Sequence, residues 1–309
     1  MFSSSINWLI WVPSCLGFAA FQGWLCAGSG FRRWLAVGLG AAALAVPFML
    51  DGGTVLRAAV ALHMLWASLK VITLAREREN RPLVFRVVQM LVLHDLRRDG
   101  YVKRGLRPQF RRELLSSSVL ALMVAFGALY GALFVAPELA SPWGWVAQNG
   151  FGVVFAYFGV EGALRGFEFV YRALGLGPPI LHAHPILSRS VGEFWGRRWN
   201  RIVGSWLFAT FYRPLALSGR RQLGSVSAFV ASGALHLYFT WAAVGFGPGL
   251  IMASFFLVQV PLVWLEERSR EQSWPVFFQH VWTLGAMVLS SPLFIEPLLT
   301  ILRGGFARG

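Results

Sequence analysis

Long apolar runs separated by short polar breaks organise this chain. They cover residues 6–27, 34–50, 54–75, 114–136, 144–165, 224–245, 249–265 and 275–291. Each approaches the about 20 mostly apolar residues that a helix needs to cross ~30 Å of hydrocarbon. A shorter run, 293–302, follows Pro292 and either makes a ninth span or dips into the membrane. The pattern predicts an all-α polytopic bundle of eight or nine transmembrane helices. The leading MFSSSIN has no basic segment, so the first run reads as a retained helix and not a cleaved signal peptide.

Two stretches break the rule. In LVFRVVQMLVLHD (83–95), Arg86, Gln89 and Asp95 recur at helical spacing among apolar residues, which predicts an interfacial helix. Residues 193–217 begin EFWGRRWN and then run through only eleven mostly apolar residues, Ile202 to Tyr212, before Arg213-Pro214. Eleven residues rise only ~16 Å as a helix, about half a bilayer. An amphipathic or re-entrant element is expected there.

Composition agrees with a membrane protein and adds an oddity. Hydrophobic residues make up 56% of the 309 and charged residues only 14%, against roughly 25% charged in soluble domains. That excess excludes a soluble enzyme, a disordered chain and a disulfide-stapled secreted domain. Cys15 and Cys26 share one apolar run and suggest no disulfide framework or zinc site. The net charge is nevertheless +14, with 28 Lys+Arg against 14 Asp+Glu. Segments 76–113 and 189–221 carry +6 each, and Arg268, Arg270, Arg303 and Arg308 lie at the following same-side positions. By the positive-inside rule the N-terminus is outside and the Arg-rich loops are cytoplasmic. This topology accounts for the charge without nucleic acid as a partner. No internal repeat or linker divides residues 1–309, so one domain is expected. The Arg-over-Lys bias with abundant Ala and Gly suggests a GC-rich genome and a bacterial plasma (inner) membrane, with endoplasmic reticulum the eukaryotic counterpart.

Among chemistry-bearing residues His236 stands out. It lies in VSAFVASGALHLYFTWAAVG, fifteen residues after Arg221 and nine before Gly245, deep in a span. Ionisable groups at that depth are rare and usually face a cavity or pathway. A neutral imidazole there can accept a proton, or can simply hydrogen-bond a neighbouring helix, and both readings stand. Ser232, Gly233 and Ala234 just before it permit close helix approach or leave room for a substrate. His63 reads as structural, and His94 and His280 lie near span ends. His182 and His184 (HAH before Pro185) lack a Cys or carboxylate at ligand spacing, so a solvated loop is expected. In EFWGRRWN, Trp195 and Trp199 are four apart and would stack on one helix face. Arg197 and Arg198 sit at the boundary, where they hold phosphates or snorkel to headgroups. Asn200 is the uncharged polar side chain placed to enter the membrane.

Taken together, HPILSRSVGEFWGRRWN (184–200), YRP (212–214), RR (220–221) and SGALH (232–236) resemble the wax synthase branch of the membrane-bound O-acyltransferase family. FFLVQVPLVWLEE (255–267) is similar to the segment that follows the histidine in plant wax synthases. The resemblance covers about residues 180–270, and the N-terminal half is similar only in hydropathy. It implies that His236 is the catalytic histidine and Asn200 the second polar residue. It also implies transfer of a fatty acyl group from acyl-CoA to a long-chain or lipid alcohol among membrane lipids. Plant members usually carry Glu after the histidine, whereas this chain has Leu237, so Glu161, Glu168 or no carboxylate tunes His236.

In that reading His236 is the general base and Asn200 positions or stabilises the acyl carbonyl. Trp195, Trp199, Arg197, Arg198 and Ser232 would line the substrate site, with Ser232 a secondary candidate nucleophile. No metal or redox cofactor is called for. The alternative is a proton-coupled transporter or lipid-handling protein using His236 as a relay, which the lack of inverted repeats disfavours. A third reading is an assembly protein whose Trp/Arg block only anchors to lipid.

Overall fold

The computed structural model describes residues 2–28, 30–77, 81–92, 108–177, 180–269 and 274–306. His94 and Asp95 lie outside these residues. Among the described residues the chain is helical throughout, and it packs as two compact units. One unit comprises residues 1–95, 235–250 and 300–309; the other comprises 96–234 and 251–299.

The first unit contains α1 (Phe2–Cys26), α2 (Gly30–Ala43), α3 (Thr54–Ala75) and α4 (Leu83–Leu91). Small residues let these helices approach closely. Ala19, Leu25 and Cys26 meet Ala36, Ala67, Val71, Leu74 and Met90 in one buried cluster. Cys15 belongs to a second cluster with Ala43, Leu56, Val60 and Met64. At Gly23 a Cβ would lie 2.9 Å from the Cα of Val87, so α1 meets α4 backbone to backbone. His63 bonds the Cys15 carbonyl at 2.9 Å, the structural role expected of it.

Helix α4 departs from the expected interfacial helix. Its polar face points inward: Arg86 is only 1% exposed and Gln89 is also buried, while Val84 on the other face is 70% exposed. Arg86 lies 3.8 Å from the buried Glu77 carboxylate. The Lys70 ammonium donates to the carbonyls of Gln89 and Val92 at the end of α4. In hydrocarbon the apolar face is the one that surroundings tolerate, so polar groups turn toward each other.

The second unit begins with α5 (Arg112–Tyr130) and α6 (Trp143–Ala173). At 31 residues α6 is long enough to span. Its Gln148, Asn149, Glu161 and Glu168 make it more polar than the other long helices, which is why it lacks their hydropathy. Glu161 pairs with Arg165, and Glu168 with Arg172 at 2.9 Å, each one turn on. Residues 191–217 form a broken series and not one span. One α turn (Val191–Glu193) leads into a wide π turn (Phe194–Arg198). Then come α7 (Arg201–Leu207), a second π turn (Phe208–Tyr212) and α8 (Arg213–Leu217). The pieces from Arg201 to Leu217 follow one another directly, with the second π turn interrupting the regular α repeat.

The chain then runs through α9 (Arg221–Val244), α10 (Phe246–Ser269), α11 (Val276–Ser290) and α12 (Pro292–Phe306), parts of which belong to each unit. In the second unit Val191, Val263 and Ala286 form a core with Trp195 and Phe229 packed on it. Gly233 on α9 faces the Ala253 carbonyl on α10, with a Cβ position 3.2 Å away, the close approach its sequence context suggested. In the first unit Tyr238 Oη donates to Leu44 O at 2.9 Å, and Arg57 to Ala243 O at 2.8 Å.

Among the described residues six helices are long and apolar enough to cross a membrane, or seven when α11 and α12, bent by 46°, count as one span. The expected eight or nine therefore reduce by this measure. Helix α6 falls below the others in hydropathy, and 275–291 and 293–302 join as one bent pair. The chain is an integral membrane protein.

Gly23→Val should force α1 from α4 and lower the thermal midpoint in detergent, at a cost of about 1–3 kcal/mol. Gly23→Ala should fall between. An unchanged midpoint for both variants contradicts the backbone contact.

Candidate functional site

Local rules build the block 188–200. Ser190 Oγ accepts the Glu193 N–H at 2.8 Å and caps the α turn. Glu193 reaches back to the Arg189 N–H at 2.8 Å. From α10, the buried Glu266 carboxylate accepts the Val191 and Gly192 N–H groups at 2.9 and 3.3 Å, placing negative charge on the positive end of the turn. The chain then widens: the Trp199 N–H bonds the Phe194 carbonyl at 2.8 Å, five residues back.

This π turn changes what the tryptophans do. Spacing of four predicts Trp195 stacked on Trp199. Instead Phe194 stacks on Trp199 at 5.4 Å, and Trp195 meets Trp199 edge-on at 6.2 Å. The Trp195 indole N–H donates to Gln259 Oε1 at 3.3 Å, and its ring packs against Phe255 and Phe256. Gln259, wholly buried on α10, also donates to Ser290 Oγ at 3.2 Å.

At Asn200 the backbone enters the left-handed region, φ 31° and ψ 67°, which costs a non-glycine residue roughly 1–2 kcal/mol. A second strand of chain holds it there. The Ala183 N–H donates to Arg198 O at 3.0 Å and the Arg201 N–H to Leu181 O at 2.9 Å, bracketing Asn200 on both sides. Between them the Asn200 N–H donates to His182 Nδ1 at 3.3 Å. The Asn200 Oδ1 is buried and makes no hydrogen bond.

His182 thus corrects the expectation of a solvated loop. It is buried, with Trp199 5.0 Å away edge-on and Tyr157 at 5.9 Å. A backbone N–H can only donate, so Nδ1 is unprotonated and Nε2 carries the hydrogen. Nε2 lies 3.4 Å from Glu161 Oε2. Glu161 is held by Arg165, which also donates to Ser117 Oγ at 3.1 Å. Burial pushes the His182 pKa down to about 4, against the opposing pull of Glu161. Glu161 and Glu168, candidates to tune His236, are thus engaged with Arg165 and His182 and with Arg172.

The arginines divide into two roles. Arg198 is a tie: Nε donates to Glu193 Oε1 at 2.8 Å and a terminal nitrogen to Ala183 O at 3.1 Å. Partial burial pushes Glu193 up, but the Arg189 amide and Arg198 outweigh it and hold the carboxyl below its usual range. Arg197 is exposed. Both line a cavity of about 1000 Å³ with Arg189, Tyr212, Trp274 and Trp282. His280 closes another wall, bonded to Ser188 O at 3.0 Å. The cavity combines cations with flat aromatic surfaces, a chemistry suited to phosphate and a planar base.

Five of the seven expected site residues, Trp195, Arg197, Arg198, Trp199 and Asn200, therefore come together in the second unit. Ser232 is buried on α9 in that unit. His236, one turn further along the same helix, belongs to the first unit, half-buried with the Phe239 ring 5.4 Å away. Sequence reasoning missed His182, Gln259, Glu266 and the Trp274/Trp282 wall. The pattern S-x-x-E at Ser190–Glu193 was an available signal for the capped turn.

Residues 178–258 match the model of the membrane bound O-acyl transferase family. The block and helix α9 lie inside that match. The chain is 32% identical over 111 residues to the long-chain-alcohol O-fatty-acyltransferase of Simmondsia chinensis, covering 33% of this chain and 32% of that protein. It is 32% identical over 108 residues to the probable long-chain-alcohol O-fatty-acyltransferase 7 of Arabidopsis thaliana, covering 31% and 32%. A second Arabidopsis thaliana protein, probable long-chain-alcohol O-fatty-acyltransferase 9, is 26% identical over 129 residues, covering 37% and 38%. The matches span about a third of the length of these relatives. The matched residues include Asn200, Ser232 and His236, while Trp274, His280 and Trp282 lie beyond them.

The neutral state of His182 has a consequence for pH. Its folded pKa lies below the ordinary 6.5. The unfolded chain therefore takes the proton first as pH falls. Stability is full above about 6.5 and is lost as pH drops toward about 4. Glu161, Arg165 and His184 are the neighbouring charges that act on this titration. Thermal midpoints measured across that window should fall more steeply for the wild type than for His182→Asn. Equal slopes contradict a buried neutral imidazole.

Proposed function

We propose that this protein is a membrane-bound O-acyltransferase that esterifies the hydroxyl of a long-chain or lipid alcohol with the acyl group of acyl-CoA. The observation that carries the reading is that the matched segment, 178–258, contains both His236 and Asn200. One is a membrane-depth imidazole; the other is a strained residue with a buried, unbonded amide oxygen.

The chemistry then follows from the side chains. The alcohol oxygen attacks the thioester carbonyl carbon while His236 takes the hydroxyl proton. Charge collects on the carbonyl oxygen, and the Asn200 amide donates to it or orients the acyl group. Collapse breaks the carbon–sulfur bond, and the departing CoA sulfur takes the proton back from His236. The product is an ester plus CoA. No covalent acyl-enzyme, metal or redox cofactor enters these steps. The Arg- and Trp-lined cavity of about 1000 Å³ suits the phosphates and adenine of the donor. The predicted topology puts this face on the cytoplasmic side of a bacterial plasma membrane, where acyl-CoA is met.

Purified protein given a panel of acyl-CoAs and long-chain alcohols should release ester and CoA in equal amounts, read by mass analysis and thiol titration. His236→Ala should lower kcat by 10²–10⁴-fold, and Asn200→Ala by about 10²-fold. Folded wild-type protein that forms no ester with any alcohol, or a fully active His236→Ala, overturns the reading. Arg197→Gln should raise KM for acyl-CoA severalfold, with the difference shrinking at high salt. Arg198→Gln should also lower the thermal midpoint, because Arg198 ties down the loop at Ala183. A KM that ignores Arg197 removes the cavity from donor binding.

A further inference from the structure

We propose that His182 is a positioning residue that sets the geometry of Asn200, with Glu161 fixing its ring. The inference rests on the reading of Asn200 as a residue that touches the reacting acyl group. Three observations converge on it. Asn200 is one of two non-glycine residues among those described with a positive φ, and the other, His184, lies on the strand of chain that holds it. The clamp Leu181–Ala183 uses two backbone bonds on either side of Asn200 and leaves the Asn200 N–H itself to a side chain. That side chain is buried: Nδ1 accepts from Asn200, and Nε2, which makes no hydrogen bond, lies 3.4 Å from Glu161 Oε2.

The physical consequence is specific. A buried backbone N–H without an acceptor costs about 1–3 kcal/mol. A left-handed asparagine that loses the His182 bond keeps the two backbone bonds beside it but has a less strained conformation to turn toward. Removal of the Nδ1 acceptor therefore lets the peptide at Asn200 rotate, and the amide group turns with it. Trp199, adjacent in sequence and packed on His182 at 5.0 Å, keeps the imidazole plane in place. Glu161 and Arg165 on α6 complete a chain in which each group orients the next. The arrangement has the form of a base oriented by a carboxylate, but its output is a backbone conformation and not a proton.

The test compares two polar replacements of similar burial. In His182→Asn the amide oxygen stands near the Nδ1 position and can take the Asn200 N–H. In His182→Gln the amide stands near Nε2 and leaves that N–H without its acceptor. Both variants are purified and checked for monodispersity and thermal midpoint, then assayed with acyl-CoA and a long-chain alcohol. His182→Gln should lower kcat about 10- to 100-fold with KM for acyl-CoA within about twofold. His182→Asn should recover most of that loss. In an Asn200→Ala background His182→Gln should have no further effect on kcat, since its route of action is gone. Equal loss in both His182 variants, or an undiminished effect of His182→Gln in the Asn200→Ala background, overturns the positioning role. Full activity of Asn200→Ala alone overturns the reading of Asn200 itself, and the inference with it. The two failures are therefore distinct.

Discussion

A chain that lives in hydrocarbon has no water to satisfy its polar groups, and this constraint organises nearly every polar side chain described above. Arg86 and Glu77 turn inward beneath an apolar outer face. Glu266 spends its carboxylate on two backbone N–H groups at the start of the Trp block. Gln259 bridges Trp195 and Ser290. Glu161 pairs with Arg165 and lies 3.4 Å from His182 Nε2. The Glu266 and Gln259 bonds join elements distant in sequence, so satisfying these polar groups and fixing tertiary structure are the same event.

The site grows out of local failures of the regular helix. Two π turns and one left-handed residue interrupt 191–217, and the first π turn and the left-handed residue each change what the neighbouring groups bond. The first π turn turns Trp195 away from a stack with Trp199 and toward Gln259 on α10. The left-handed step at Asn200 exchanges a helical hydrogen bond for one to His182. Strain of this kind persists only where surrounding contacts over-determine it, and the clamp at Leu181–Ala183 supplies them.

The arginines illustrate how one sequence feature acquires separate roles. Arg197 and Arg198 are adjacent and chemically alike. Arg198 is drawn to Glu193 and to the carbonyls of Ala183 and His184, and so becomes part of the scaffold. Arg197 faces the cavity. Two adjacent copies of the same residue thus occupy different environments, one tied into the scaffold and one left at the cavity.

Hydrophobic periodicity and length were enough to establish a polytopic all-helical membrane protein, because a run of about 20 apolar residues has few other stable fates. The shortness of the 202–212 run set it apart from the long spans, and there the structure has short α pieces and a π turn; the EFWGRRWN and SGALH patterns pointed to Asn200 and His236. The inward face of α4 was not legible, since periodicity reveals that a helix has two faces but not which one meets lipid. Nor was the burial of His182: a histidine in a Pro-flanked loop looks solvated until Trp199, Tyr157 and Glu161 are brought around it. Sequence by itself determined the class of the protein and the residue types in its candidate site. Tertiary structure alone decided which of those side chains share an environment, because partners such as Glu266 for Val191, Gln259 for Trp195 and Glu161 for His182 come from helices far away along the sequence.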